Sequence, residues 1–421
     1  MNAGAPAAAP AGARPPLADR GARRARLAVA VLFLANGALF ANLLPRYPAL
    51  KEDLQLSNAA FGAAVAAFPL GALVAGLAAG VLIRRFRSSR VAVAGIILTG
   101  AGILLAGIAP SWGTLAGALL LAGAMDAVTD VAQNSHGLRV QRLYGRSILN
   151  SFHAVWSIGA VLGGLMGAAA AGLGIPRGAH LAVSLLVFGT LTLAFLGRLL
   201  PGPEPGVSAG GPADVPTGAD LSAGAGSAAA RRPVARYGIL AALVLIAASG
   251  SVVEDAGGSW SAIYLHDALG APASIAALGF VALTGAQFVG RLAGDRLVDR
   301  FGQRAVARAG GATVAAGMGA ALLLPSVPGT IVGFGAAGLG VATLVPAAMH
   351  AADELPGLRP GSGLTIVSWL MRVGFLLSPP VVGAVADATS LATGLLVVPL
   401  AGIAVLALSP VLPARIRRAG S

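Results

Sequence analysis

Twelve apolar stretches, most of them near twenty residues long, set the pattern of the chain. They lie at 27–45, 58–83, 91–109, 113–134, 150–173, 179–198, 237–262, 272–294, 306–325, 328–350, 362–386 and 391–412. Short polar clusters with glycine and proline separate them. A hydrocarbon core about 30 Å thick needs about 20 apolar residues per helix. Within lipid a chain must satisfy its backbone internally, which selects helices for stretches of this length. The pattern predicts an all-α, polytopic membrane protein with twelve transmembrane helices. One longer stretch, 199–236, is rich in Gly, Ala, Pro and Ser and has little to bury, so it reads as a flexible linker. The expected organisation is a disordered cytoplasmic N-terminus (1–26), a six-helix half (27–198), the linker (199–236), a second six-helix half (237–412) and a cytoplasmic tail (413–421).

Composition agrees with lipid as the main solvent. Of 421 residues, 56% are hydrophobic and 11% charged, against roughly 25% charged in soluble domains. A water-soluble enzyme is excluded. Cysteine is absent, which removes disulfides, thiolate nucleophiles and Cys-ligated metals. The single lysine, Lys51, is followed by Glu52, so no P-loop can form and any uphill transport must draw on an ion gradient or a partner subunit.

The net charge of +13 follows topology. With both termini in the cytoplasm, twenty-four arginines fall in cytoplasmic segments, and outside them lie Arg46, Lys51 and Arg177. That asymmetry is what the positive-inside rule requires of a cytoplasmic-membrane protein. The basic segments are expected to meet anionic lipid, and nucleic acid is not an expected partner. The arginines before the first span hold the N-terminus inside, and the long apolar run after them is no cleavable signal.

A short repeat relates the halves. LIRRFR (82–87) and LVDRFG (297–302) each end the second span of a half, and parallel six-helix repeats are one build of secondary transporters. The stretch GRLAGDRLVDRFGQR (290–304) resembles the loop signature of the major facilitator superfamily. Further stretches resemble a bacterial branch of it related to the rhizopine-transport membrane protein, more distantly similar to fucose permease. These are DVAQN (130–134), GRSILNSFH (145–153), WSIG (156–159), EDA (254–256), WSAIYL (260–265) and GFLLSPP (374–380). The resemblance implies a transporter and no enzyme. The chain departs from the family pattern at Arg84, which stands where the second half has Asp299, and at Ser259, where the branch carries an acid. Its fifth span also lacks the Gly-Pro of many drug/proton antiporters.

Ionisable side chains at mid-bilayer cost about 2.5–3.5 kcal/mol on insertion scales, so the few present are the candidate site. Asp126, Asp130 and Asn134 recur at i, i+4 and i+8, on one face of the fourth span and over about 12 Å of axis. Asp126 is expected to bind substrate or proton; Asp130 either joins it or pairs with Arg84 or Arg85. In the seventh span Glu254 is the favoured proton carrier, beside Asp255, Trp260 and Tyr264. Arg372, about ten residues into the eleventh span, is expected to pair with Asp126 or Glu254, or to bind a substrate carboxylate. Asn36, Gln287 and Trp369 are candidate solute contacts, and His153 is expected to bond Asn134. Arg291, Asp295, Asp299 and Arg300 form a candidate cytoplasmic latch. No spacing suggests a metal site or a nucleophile–base pair, and no cofactor is expected.

The sequence thus leads to a monomeric secondary carrier that moves a small polar solute by alternating access, with protons as coupling ion. Proton-driven efflux of amphipathic compounds is the alternative within the class; a transport-inactive receptor or scaffold is the alternative outside it.

Overall fold

The computed structural model describes residues 20–145, 148–202, 233–356, 358 and 362–414, and these are helical with no strand among them. Twelve helices are long and apolar enough to cross a membrane. They are α1 (Arg20–Asp53), α2 (Asn58–Gly76), α3 (Ser88–Gly107), α4 (Trp112–Tyr144), α5 (Leu149–Gly172), α6 (Arg177–Leu196), α7 (Arg236–Ala268), α8 (Ala273–Phe301), α9 (Gln303–Leu323), α10 (Val327–Asp353), α11 (Ser362–Ala388) and α12 (Leu391–Val411). Each expected stretch falls on one of them. The expected N-terminus, most of the linker and most of the tail lie outside the described residues.

Helix ends depart from the apolar limits for identifiable reasons. Hydropathy marks where lipid ends, whereas a helix satisfies its own backbone and continues into water. So α4 runs to Tyr144, ten residues past the expected limit. Pro45 and Pro48 do not stop α1, because each sits in the first turn of a short segment, Leu44–Arg46 or Tyr47–Asp53, where a missing N–H costs nothing. Beyond α2 the helix Ala79–Phe86 carries the chain to the arginines at 84, 85, 87 and 90.

The two halves use one packing plan. In the first, α1 lies on α5, α2 on α4, and α3 on α4 and α6; in the second, α7 lies on α11, α8 on α10, and α9 on α10 and α12. Small residues permit these approaches, since apolar surface gives helices in lipid no drive to associate. Gly159 and Gly163 bring the α5 backbone onto the Leu34 and Ala38 carbonyls of α1, and Gly338 of α10 does the same at Leu283 of α8.

The repeat extends to backbone conformation. Arg87 and Gly302 occupy matching positions after the second span of each half, with φ of 73° and 86°. Gly302 adopts that angle without a Cβ penalty; Arg87 does so under strain of order 1–3 kcal/mol. Arg87→Gly is therefore expected to stabilise the protein by about 1 kcal/mol after the added chain entropy of glycine. A thermal melt checks this, and a lower midpoint would count against it.

Between the halves, α2 meets α11 and α5 meets α8, a pair of contacts related by the same repeat. They cluster at one end of the bundle. There Gly62 lies against the Pro379 carbonyl, Gly383 against that of Asn58, and Gly164 against Phe280 and Val281. This end is termed the far face. The opposite, basic face carries Arg84, Arg85, Arg87 and Arg90 and the end of α8. On that side Ala79–Phe86 and Leu344–Asp353 pack within their own halves.

Candidate functional site

Polar side chains from both halves meet in the interior between the closed far face and the basic face. On α4 the expected stripe is one face. Asn134 Nδ2 donates to Asp130 Oδ1 and to the Asp130 carbonyl, both at 2.8 Å, as the i, i+4 spacing requires. His153 of α5 donates from Nε2 to Asn134 Oδ1 at 3.1 Å, the bond expected for it. Asp130 is thus engaged by Asn134, and neither Arg84 nor Arg85 pairs with it among the described residues. One turn nearer the far face, Asp126 has Asn36 of α1 within hydrogen-bonding reach, while Asn36 Oδ1 stays buried without a partner.

In the second half Glu254 and Asp255 point apart, as adjacent positions on a helix must. Glu254 Oε1 accepts from Gln287 Nε2 and from Arg291 Nη2 of α8, the latter at 3.2 Å. Asp255 Oδ1 instead accepts from Ser259 Oγ at 3.3 Å, on the side of Ser378 in α11, and its Oδ2 is buried without a partner.

Two expectations change here. Arg291 belongs to the Glu254 cluster, although its place in the loop signature assigned it to the latch. Asp295, Asp299 and Arg300 lie exposed at the basic face and form no ion pair with one another among the described residues. Arg372 pairs with neither Asp126 nor Glu254. It is exposed at mid-helix in α11, its guanidinium beside Gly76 of α2 across the halves, with no carboxylate partner among the described residues. Trp369, one turn away, is 59% exposed.

Trp260 and Tyr264 do not open onto this interior. They are among the largest fully buried or nearly buried side chains, at 0% and 2% exposure. Trp260 stacks edge-on against Phe61 of α2, ring centroids 5.7 Å apart, and Phe61 in turn against Tyr47 of α1 at 5.1 Å. The three rings form a plug through the closed end.

A clamp that no sequence motif marks completes this closure. Asp387, at the end of α11, accepts from the Asn58 and Ala59 backbone N–H groups at 2.9 and 2.8 Å and from Asn58 Nδ2 at 2.9 Å. An acid from one half therefore caps the first turn of a helix in the other, where exposed N–H groups and the helix dipole favour negative charge. Lys51 and Asp267 add a second inter-half pair at 2.9 Å, Asp267 lying in the π-helical turn Tyr264–Ala268 that ends α7. Asp387→Asn keeps one acceptor and loses the charge, a change of about 1 kcal/mol for a cap. The open-far-face population is expected to rise about fivefold, read as the distance between spin labels on the two halves; an unchanged distribution would contradict the clamp.

The chain is 32% identical over 384 residues to the uncharacterized transporter y4wD of Sinorhizobium fredii, covering 91% of this chain and 97% of that one. It is 28% identical over 380 residues to the membrane protein MosC of Rhizobium meliloti, covering 90% and 88%. The crystal structure of the nucleoside transporter NupG superposes with a TM-score of 0.69 at 13% identity, over 92% of this chain and 98% of that one, a likeness of fold. The Major Facilitator Superfamily model matches residues 29–297. With twelve spans in two six-helix halves and those relatives along nearly its whole length, the chain belongs to the Major Facilitator Superfamily and is a multi-pass membrane transporter.

Proposed function

We propose that the protein is a secondary carrier that moves a small polar solute across the cytoplasmic membrane by alternating access, driven by protons. The carrying observation is a far face sealed by helix–helix contact, rings, the Asp387 cap and the Lys51–Asp267 ion pair, above an interior where polar atoms stand without partners. Asn36 Oδ1 of the first half and Asp255 Oδ2 and Ser378 Oγ of the second are buried and unbonded. Buried polar groups are bonded as a rule, so a cluster of exceptions at mid-depth supports a place for water and a polar solute. In this reading the basic face is cytoplasmic, both termini lie inside, and the conformation is open inward.

Each candidate then has a role. Arg372, with no counter-ion, takes an acidic group of the solute bidentately, and Trp369 offers an apolar face beside it. Asp126 and Asn36 take its hydroxyl or amine groups. Glu254 carries the proton: ionised it holds Arg291 and Gln287, neutral it releases the guanidinium. Asp295, Asp299 and Arg300 act as the latch when the basic face closes, which accounts for their lack of mutual pairs while it is open.

The test starts from solutes that raise the purified protein's melting temperature and proceeds to flux of those solutes into proteoliposomes. Accumulation is expected to follow an imposed pH gradient in the wild type and to lose that dependence in Glu254→Gln. Flux indifferent to the gradient in both proteins would remove proton coupling; saturable binding with no flux would remove the carrier reading.

A further inference from the structure

Three cations lie at the far face, against the charge bias of the chain. Lys51 pairs with Asp267, and Arg177 pairs with Asp53 at 2.6 Å. Arg46 has no carboxylate partner among the described residues. It is 6% exposed, gives one hydrogen bond from Nη2 to the Ile175 carbonyl at 2.7 Å, and keeps a buried Nε without an acceptor. Arg177, a charge of like sign, is near enough to act on it electrostatically. A desolvated guanidinium in that position lacks the compensation a buried ion needs.

Arg46 and Arg177 line one groove of about 400 Å³, with Asp53, Ile108 and Gly178. It is open to the far face and formed by the first half alone, at the ends of α1 and α3 and the start of α6, away from the interior between the halves. The first turn of α6 faces it too. That twenty-residue helix begins after Pro176 with no side chain capping its N–H groups. Gly178 keeps the groove open there, since a Cβ would lie 2.9 Å from Ile108 Cγ2. Arg177 is engaged by Asp53 and, through Nε, by the Gly107 carbonyl at 3.1 Å, so the groove offers the uncompensated Arg46 guanidinium and the uncapped N–H donors of α6, with Arg177 holding its one carboxylate. Donors so arranged suit a tetrahedral oxyanion, which takes forked hydrogen bonds from arginine and sits well at a helix N-terminus.

We infer that this groove binds a phosphate-class oxyanion, supplied either by a phospholipid headgroup of the outer leaflet or by free phosphate, at a site separate from the transport path. The counter-ion that Arg46 lacks within the protein is then provided by the ligand.

Two arms separate the sources. The purified, delipidated full-length chain is melted in sodium phosphate and in sodium chloride of matched ionic strength. It is also melted in nanodiscs of phosphatidylglycerol and in nanodiscs of a phosphate-free diglucosyl lipid. A rise of about 2 °C or more with phosphate supports a free anion, and a rise with phosphatidylglycerol alone supports the headgroup; both support the site. Arg46→Gln is expected to abolish the response. Because Arg46 is buried and that variant can fail to fold, Ile108→Glu serves as the second probe. Ile108 is 52% exposed, and a carboxylate there supplies a built-in counter-ion, raising the melting temperature without ligand and removing the response to it. No response in either arm overturns the inference, as does a response in Ile108→Glu equal to that of the wild type.

Discussion

Gly62→Leu is expected to hold the far face open and stop transport without unfolding either half. A Cβ at position 62 would run into the Pro379 carbonyl and the Pro380 Cα. Both are backbone atoms that no rotamer change can move aside. Overpacking of this kind costs about 1–3 kcal/mol, here toward the upper end, which shifts a two-state population by about 5–150-fold. The strain can be relieved by separating α2 from α11, and in the proposed alternating-access cycle that separation is the opening movement. The absence of native cysteine gives a clean background for paired spin labels. A far-face pair at Glu52 and Ala388 is expected to move several Å apart, while a basic-face pair at Arg85 and Arg296 draws together. Gly159→Leu is the control. Its clash is with the Leu34 backbone inside the first half, so rigid-body motion cannot relieve it, and it is expected to lower the melting temperature without switching the distances. If both variants only destabilise, the α2–α11 contact is not a gate.

That contrast shows what a single sequence can carry. The spans were legible because lipid imposes one length and one polarity on every helix, and the two six-helix halves followed from the linker and the repeat. Residues on one helix were legible too: the Asp126–Asp130–Asn134 stripe needs only the 3.6-residue period, and the Asn134–His153 bond joins neighbouring spans of the same half. Azimuth between helices was not legible. Whether Arg291 turns toward the loop acids Asp295 and Asp299 or toward Glu254 depends on the rotation of α8 against α7, which the loop signature does not encode. An acid partner is expected for Arg372 because an isolated charge in lipid is costly; the structure leaves it exposed beside Gly76, and in the proposed inward-open path water removes that requirement. The role of Asp387 is not legible either, because its partners are backbone N–H groups more than three hundred residues away, and a helix N-terminus carries no side-chain signature of what caps it.

Arg291→Gln is expected to lower stability more than the double variant Glu254→Gln/Arg291→Gln. Removing one partner of a fully buried ion pair costs about 3–5 kcal/mol, and exposed pairs are worth about 0.2–1 kcal/mol. Glu254 and Arg291 are 24% and 41% exposed, so a value of about 1–3 kcal/mol is appropriate, or several degrees of melting temperature. The single variant leaves Glu254 with Gln287 as its one remaining side-chain donor. In the double variant two neutral amides can bond each other and Gln287, so at least half of the loss should return, and a double-mutant cycle measures the coupling. The same pair tests the proton step without any solute. If protonation of Glu254 is what frees Arg291, the wild-type distribution of the two label distances shifts with pH and that of Glu254→Gln does not. A pH response that survives Glu254→Gln but vanishes in Asp126→Asn would move the proton to α4. Glu254 would then be left with a structural bond between α7 and α8, and the helix pair that senses pH would be α1 and α4.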